Sequence, residues 1–533
     1  MIFRFFLIFW VFLFFGCKTD TFNQQIEPKV ATSKKPNIVF ILADDLGLYD
    51  LSVTGSRYYE TPNIDFIASG GTIFTQGYAS SRVCSPSRAS IMTGQFTARH
   101  GITDWIGAAS GKEWREQGHN DRVMPSDYRH ELPKSSTTLA EAMQGAGYKT
   151  FFAGKWHLGN ESSIPEKKGF DINKGGWDVG SPIGGYFSPW ENPKLKNNEP
   201  GENLSERLGK ETASFIEANK NQPFFAMLSF YAVHGPIQTT KERWKKYRDK
   251  AQNFGISNKG FEMERILPIR TVQDNPIYAG LVEQMDEAVG IVLSKLKELG
   301  LEKNTIVIFT SDNGGVASGD AFSTTNLPLR GGKGYQWEGG IREPYFIKVP
   351  FYKNAPKEID FPVSGTDFYP TILDLVGIEI PTGQTIDGVS LKPLLQNGSL
   401  SQRSLFWHYP HYGNQGGEPS SIIRKGSYKL IHYWEDNRNE LYDLPNDPNE
   451  QHDLAASNKQ TTDLLFAELN YFLTDVGAQI PEKDALFDIE AYDRLYQKNR
   501  TILMKNLENQ RQRFLSKDFK PNEDWWGSKI TQD

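Results

Sequence analysis

Four short apolar runs in this chain each stop at a polar cluster, and this pattern limits the fold more than any other feature of the sequence. They are residues 37–42 (NIVFIL), 149–153 (KTFFA), 223–230 (PFFAMLSF) and 305–310 (TIVIFT). Near-continuous Val, Ile, Leu and Phe without polar alternation predicts strands covered on both faces, the habit of parallel sheets. Helical stretches at 138–146 and 275–299 fall between them. Alternating strands and helices predict an α/β sandwich with a large, mostly parallel central sheet flanked by helices, whose ligand site lies beyond the carboxyl ends of the strands. The polar clusters occupy that place: Asp44 and Asp45 after the first run, Lys155 and His157 after the second, His234 after the third, Asp312 and Asn313 after the fourth.

After about Pro381 the pattern changes to short alternating segments, RKGSYKLIHYW and then NELYDLPNDPNEQHDLA. These predict a smaller C-terminal α+β subdomain with an antiparallel sheet, a turn and a closing helix. The expected division is a main domain over 36–395 and a subdomain with its tail over 396–533, where Trp525 and Trp526 stand as anchors in a polar end. With 38% hydrophobic and 13% aromatic residues the chain can bury a large core. Its formal charge of -6 argues against a nucleic-acid binder, so an anionic substrate has to be held by local basic residues.

At the N-terminus Arg4 precedes an apolar run over 5–15, followed by Gly16 and Cys17. This reads as an export signal over 1–17, because eleven apolar residues are too few for a helix to cross about 30 Å of hydrocarbon. The Gly-Cys ending resembles a bacterial lipoprotein signal, with Cys17 lipidated and 18–35 a tether; plain secretion is the alternative. The expected location is the periplasm or cell envelope, with membrane contact only through that anchor. Cys84 is the one other cysteine, so no internal disulfide framework is available.

Cys84 opens the segment CSPSRASIMTG at an expected helix start, where Pro86 suits the first turn and the helix dipole favours negative charge. Asp44, Asp45, Asp312 and Asn313 offer oxygen ligands and neither sulfur nor imidazole, a set that favours calcium or magnesium over zinc. The basic set is Arg88, Lys155 and His157 in GKWHLG, His234 in VHGP, and Lys333 in GGKG. If the chain stays extended after the second run, Lys155 and His157 project to one side. The glycines around Lys333 permit close backbone approach to an anion.

Cys-x-Pro-x-Arg followed by Thr-Gly resembles the modification signature of the sulfatase family, within the alkaline phosphatase superfamily. The resemblance runs from about Lys35 into the C-terminal subdomain. It implies an alkaline phosphatase-like sandwich, one calcium ion, and oxidation of Cys84 to formylglycine by a formylglycine-generating enzyme. The hydrated aldehyde supplies a hydroxyl nucleophile, and its second hydroxyl can expel sulfate by carbonyl formation without attack by water on a hindered ester. The resemblance further implies that Asp44, Asp45, Asp312, Asn313 and the modified Cys84 hold the metal. It assigns Arg88 and Lys155 to the diol, Lys333 and His234 to the sulfate and its bridging oxygen, His157 to the proton of the second hydroxyl, and Asp312 to the attacking hydroxyl.

For the substrate, Trp105, Arg330, His408, His411 and Arg424 are candidate sugar contacts, since aromatic, His and Arg side chains suit stacking on a sugar and pairing with its acidic groups. Packing between the two domains is the other role open to the His408–His411–Arg424 cluster. Trp177, Trp190 and the loop GGYFSPWENP carry the same ambiguity. The expected function is hydrolysis of O-sulfate esters on a sulfated polysaccharide or its oligosaccharides. A phosphonate or phosphodiester hydrolase and a non-catalytic binder of sulfated glycans are the alternatives.

Overall fold

The protein is described from a computed structural model covering residues 35–520. The expected export signal, Cys17, most of the tether, Trp525 and Trp526 lie outside the described residues. No helix among the described residues is long and apolar enough to cross a membrane.

The main sheet takes its strands from most of the chain: β1 (Asn37–Ala43), β2 (Thr72–Phe74), β3 (Lys149–Gly154), β4 (Ile172–Lys174), β5 (Phe224–Ser229), β6 (Thr305–Ser311), β7 (Tyr345–Lys348) and β8 (Glu358–Ile359). Their order across the sheet is β8-β2-β7-β6-β1-β5-β3-β4. The central strands β6, β1, β5, β3 and β4 run parallel, and the antiparallel β7 closes one side.

The strands are apolar on both faces because both faces are covered. Val39, Ile41 and Ala43 of β1 join one core with helices α1 (Pro62–Gly70), α4 (Leu204–Ala218), α5 (Lys241–Phe254) and α6 (Pro276–Glu298). The alternate residues Ile38, Phe40 and Leu42 join a second core with α2 (Cys84–Thr93), α3 (Leu139–Gly145) and α7 (Phe368–Leu375). A period of two thus sorts one strand between two helix layers. Helix ends follow their local chemistry: Thr138 and Glu141 form a capping box for α3, and Asn275 caps α6 ahead of Pro276.

The second sheet is antiparallel, with β9 (Ser404–Tyr409), β10 (Ser420–Lys425), β11 (Tyr428–Tyr433) and β12 (Asn439–Asp443) in sequence order. Trp407, Ile422 and Ile431 on one face pack on Tyr78, Phe96, Tyr335 and Trp337 of the main body. Ile423, Leu430 and Leu441 on the other face take α8 (Lys459–Asp475) through Leu465, Leu469 and Leu473. At the seam, the buried Lys429 ammonium lies 3.1 Å from Glu338 and 2.8 Å from Glu450.

Candidate active site

The four central parallel strands end on one edge of the sheet, and each delivers polar side chains there. Asp44 and Asp45 follow β1, Lys155 and His157 follow β3, His234 lies beyond β5, and Asp312 and Asn313 follow β6. Because β6 and β5 flank β1, the chain leaves the first strand in both directions, the arrangement that opens a crevice at strand ends.

Carboxylate oxygens of Asp44, Asp45 and Asp312 all lie within 4.8 Å of one another, and all three residues are buried. Arg88 binds Asp312 at 2.7 Å and lies 3.6 Å from Asp44. Its other donors reach the Lys155 carbonyl and Ser229 Oγ, each at 2.7 Å. Lys155 sits 2.8 Å from Asp44, and Lys333 sits 2.9 Å from Asp45. The Asn313 amide donates to Asp45 Oδ1 and to the Gly314 carbonyl, while Asn313 Oδ1 accepts no hydrogen bond and Asp44 Oδ1 meets a donor only at 3.6 Å, from Arg88. Buried acceptors without donors are costly. An all-oxygen cluster of this kind therefore fits a hard divalent cation. Three carboxylates against three basic side chains are formally neutral, so a divalent ion there would leave net positive charge for an anionic ligand.

Electrostatics follow from burial and pairing. Burial, and then the Asp44 charge, push the Asp312 carboxyl up, against Arg88 and Lys155. Asp44 is also raised by burial. Burial pushes Asp45 the same way, but Lys333 and His234 outweigh it and hold that carboxyl below its usual range. For Lys333, burial disfavours the ammonium, and Asp45 with Asp320 overcomes it and keeps the side chain cationic.

Cys84 is the first residue of α2, preceded by extended Val83, with Pro86 in the first turn. Its side chain is buried, and burial pushes the thiol up to about 11 despite Lys155 and Lys333. As a thiol it is a poor nucleophile at neutral pH. Cys84 Sγ lies 3.5 Å from His157 Nδ1, while His157 Nε2 sits 2.9 Å from the Ile106 carbonyl. A carbonyl only accepts, so Nε2 carries a hydrogen, and whenever the ring is neutral it is Nδ1 that turns a lone pair to Cys84. The Ile106 amide is itself held by Ser85 Oγ at 3.1 Å. His157 has a left-handed backbone with φ 54°, so the extended alternation expected after β3 does not occur. A turn, rather than strand pleating, carries His157 to Cys84 while Lys155 reaches Asp44. His234 Nδ1 pairs with the Gly235 carbonyl at 2.8 Å, and Nε2 lies 3.8 Å from Asp45. Tyr186, in the aromatic loop noted in the sequence, binds the Tyr231 and His234 carbonyls at 2.8 Å and steadies this segment.

Above this floor is a small pocket. Cys84, His157, His234 and Lys333 face it, with Trp105 and Val83 on the wall. Asp320, Asn414 and Gln415 complete the lining. Their signal in the sequence is weak: Asp320 is one acid in a long loop, and Asn414 and Gln415 lie in the Gly-rich stretch after His411, where no residue type stands out.

Of the five sugar contacts expected from sequence, only Trp105 lines this pocket. Arg330 is spent on Glu264 at 2.8 Å and on the Trp337 ring. His408 is buried between Ser421 Oγ and the Gln479 carbonyl. Arg424 pairs with Gln76 and lies over Tyr78 at the seam with the second sheet. His411 is fully buried, 2.9 Å from Thr103 Oγ1 and 3.6 Å from Asp104. Asp104 also accepts from Tyr409 Oη and from the Trp105 amide, each at 2.8 Å, so this group backs the Trp105 wall. Burial raises Asp104 to about 7 and holds His411 well below its usual value. Trp177 and Trp190 bond to Tyr231 Oη and the Leu195 carbonyl and are not part of the lining.

A family profile described as Sulfatase matches residues 36–378, and a second, described as N-sulphoglucosamine sulphohydrolase, C-terminal, matches 332–479. A protein named Sulfatase from Formosa agariphila is 30% identical over 523 residues, covering 84% of this chain and 90% of its own. N-acetylgalactosamine-6-sulfatase of Mus musculus is 31% identical over 426 residues, covering 75% of this chain and 72% of its own. Among solved structures, Ps i-CgsB in complex with k-i-k-neocarrahexaose superposes with a TM-score of 0.67 at 25% identity, covering 89% of this chain and 99% of that one.

Proposed function

This chain belongs to the sulfatase family and is a sulfuric ester hydrolase, and from that premise we propose that it hydrolyses O-sulfate esters on a sulfated polysaccharide or its oligosaccharides, using a nucleophile made from Cys84. The observation that carries the reading is Cys84 at a helix start on the pocket floor, 3.5 Å from a histidine nitrogen and beside a buried three-carboxylate cluster. The carbohydrate part is supported by the Trp105 wall and by a similar structure that holds an oligosaccharide. Export, with Cys17 as a lipid anchor, rests on the apolar run over 5–15 and the Gly-Cys that follows it.

In the mature enzyme Cys84 Sγ marks the place of a formylglycine, whose hydrated aldehyde supplies a hydroxyl nucleophile. Asp44, Asp45, Asp312 and Asn313 would hold the calcium ion, which would supply Lewis-acid chemistry favouring the ionised nucleophile. Asp312 takes the proton of the attacking hydroxyl, with Arg88 at 2.7 Å stabilising its charge. Lys333 and Lys155 face the negative charge that spreads over the sulfuryl oxygens, in a desolvated site where fixed cations act strongly. His234 protonates the leaving alkoxide from Nε2, the nitrogen that lies 3.8 Å from Asp45. His157 receives the proton of the remaining hydroxyl at Nδ1, the nitrogen that the Ile106 carbonyl leaves as acceptor.

The test is sulfate release from a panel of sulfated oligosaccharides by protein co-produced with a formylglycine-generating enzyme, with conversion of Cys84 checked by peptide mass. Release from at least one member is expected. Faster hydrolysis of a phosphate diester than of every sulfate ester would overturn the assignment in favour of phosphodiester chemistry.

A further inference from the structure

The pocket lining brings opposite charges close together. Its floor is cationic and carries the nucleophile position, whereas its rim carries a carboxylate and two amides, Asp320, Asn414 and Gln415. Gln415 Nε2 donates to Asp320 Oδ2 at 2.7 Å, and the same oxygen lies 3.6 Å from Lys333 Nζ. Both contacts use Oδ2, and the side chain is still 30% exposed, so the carboxylate retains accepting capacity for a ligand.

The rim is held by backbone. A Cβ on Gly319 would lie 2.7 Å from the Asn414 carbonyl, one on Gly334 would lie 2.6 Å from Gln415 Oε1, and one on Gly417 would lie 1.8 Å from the Gly334 carbonyl. The loop carrying Asn414 and Gln415 is therefore seated against both the Asp320 turn and the Lys333 turn. Asp320 itself adopts φ 38°, a left-handed conformation that a non-glycine residue rarely takes.

A fixed carboxylate in a pocket that must admit a sulfate is a liability unless it does something for the substrate. It weakens binding of any ligand that brings a second negative charge to the rim, and it accepts hydrogen bonds from hydroxyls, which a sugar supplies next to its sulfate. Trp105 also lines the pocket, and an indole suits packing on such a ring.

Building on the sulfate-ester reading above, we propose that Asp320, oriented by Gln415 and assisted by Asn414, is a specificity site that reads free hydroxyls beside the scissile sulfate and excludes sugars carrying a second sulfate or a carboxylate there. The full-length protein, with Cys84 conversion verified by mass, is assayed for sulfate release from the 4-sulfate, the 6-sulfate and the 4,6-disulfate of galactose and of N-acetylgalactosamine, with 4-nitrophenyl sulfate as an aryl control. The wild type is expected to prefer its best monosulfate over the matching disulfate by at least about tenfold in kcat/KM, since like charges brought together in a cleft are strongly disfavoured. In Asp320→Asn that preference is expected to shrink to within about threefold, chiefly through a lower KM for the disulfate, because the repelling charge is gone and the amide keeps the shape. Gln415→Ala is expected to give a smaller loss of preference, since the carboxylate remains but loses its orienting donor.

A wild type that handles mono- and disulfate alike, or an Asp320→Asn variant that keeps the wild-type preference, overturns the proposal. Release from the aryl ester but from no sugar overturns it too, while leaving sulfate-ester hydrolysis intact. Release from neither class, with conversion verified, is a different failure, because it removes the sulfate-ester reading on which the proposal stands.

Discussion

Two of the buried charge clusters among the described residues are built to opposite ends. At the seam with the second sheet, Lys429 sits between Glu338 and Glu450, and each of the four carboxylate oxygens faces a donor: Lys429 for Glu338 Oε1 and Glu450 Oε1, Tyr78 Oη for Glu338 Oε2, and the Glu338 amide for Glu450 Oε2. At the pocket floor, Arg88, Lys155 and Lys333 face Asp44, Asp45 and Asp312, yet Asn313 Oδ1 accepts no hydrogen bond and Asp44 Oδ1 has a donor only at 3.6 Å, from Arg88. Burial and ion pairing are common to both clusters, so neither marks function by itself. The floor differs in having acceptors left over and in opening onto a cavity.

Four substitutions test that contrast, taken from the largest expected effect to the smallest. Cys84→Ala removes the nucleophile from the open cluster and is expected to lower sulfate release by at least roughly 10⁴-fold, with an unchanged circular dichroism spectrum; full activity in this variant would end the mechanism. Asp312→Ala removes one arm of the oxygen cluster, and both bound calcium, measured by elemental analysis, and turnover should fall to near background. Unchanged calcium content would break the claim that the leftover acceptors belong to a cation.

Lys429→Met attacks the closed cluster instead. Two buried carboxylates then lose their shared cation, and denaturant melts should show a loss of about 3–5 kcal/mol, while the protein that remains folded keeps its kcat within about threefold, since Lys429 touches no reacting atom. A catalytic defect without a stability defect would invert the comparison. Asp104 extends the test to a buried carboxyl that lies 3.6 Å from the neutral His411. Its folded value is raised to about 7 from a reference of 3.8, so between those values the folded state holds the proton more than the unfolded state does. This contribution to stability is therefore present at acid pH and lost as pH climbs from about 4 to about 7. Asp104→Asn should flatten the stability–pH curve in that window by up to about 1.4 kcal/mol per pH unit, read from urea midpoints.

The frame of the molecule was legible in sequence because strands covered on both faces write themselves as unbroken apolar runs. The runs at 37–42 and 305–310 became the adjacent strands β1 and β6, one residue longer each. The floor residues were legible for a related reason: a polar pair straight after a buried strand has only the sheet's edge to occupy, and Asp44, Asp45, Asp312 and Asn313 all went there. The rim was not legible. Asp320 and Gln415 come together only through loop-to-loop backbone packing at Gly319, Gly334 and Gly417, which leaves no periodic trace. His408, His411 and Arg424 looked like sugar ligands because a chain of aromatic, His and Arg side chains reads alike in a binding loop and in a seam between layers. Their burial against Ser421, Thr103 and Gln76 decides for the seam. The turn at His157 escaped as well, since a left-handed residue other than glycine has no reliable sequence signature.

The ion pair between Lys333 and Asp45 joins residues 288 positions apart. A ribosome adding about 5–20 residues per second needs on the order of 15 to 60 s to pass from one to the other. Cys84 emerges early in that interval, whereas the Lys333 turn that closes its pocket and the Gln415 loop seated on that turn emerge at the end or later. The thiol thus spends most of its biosynthesis in a chain that cannot yet bury it.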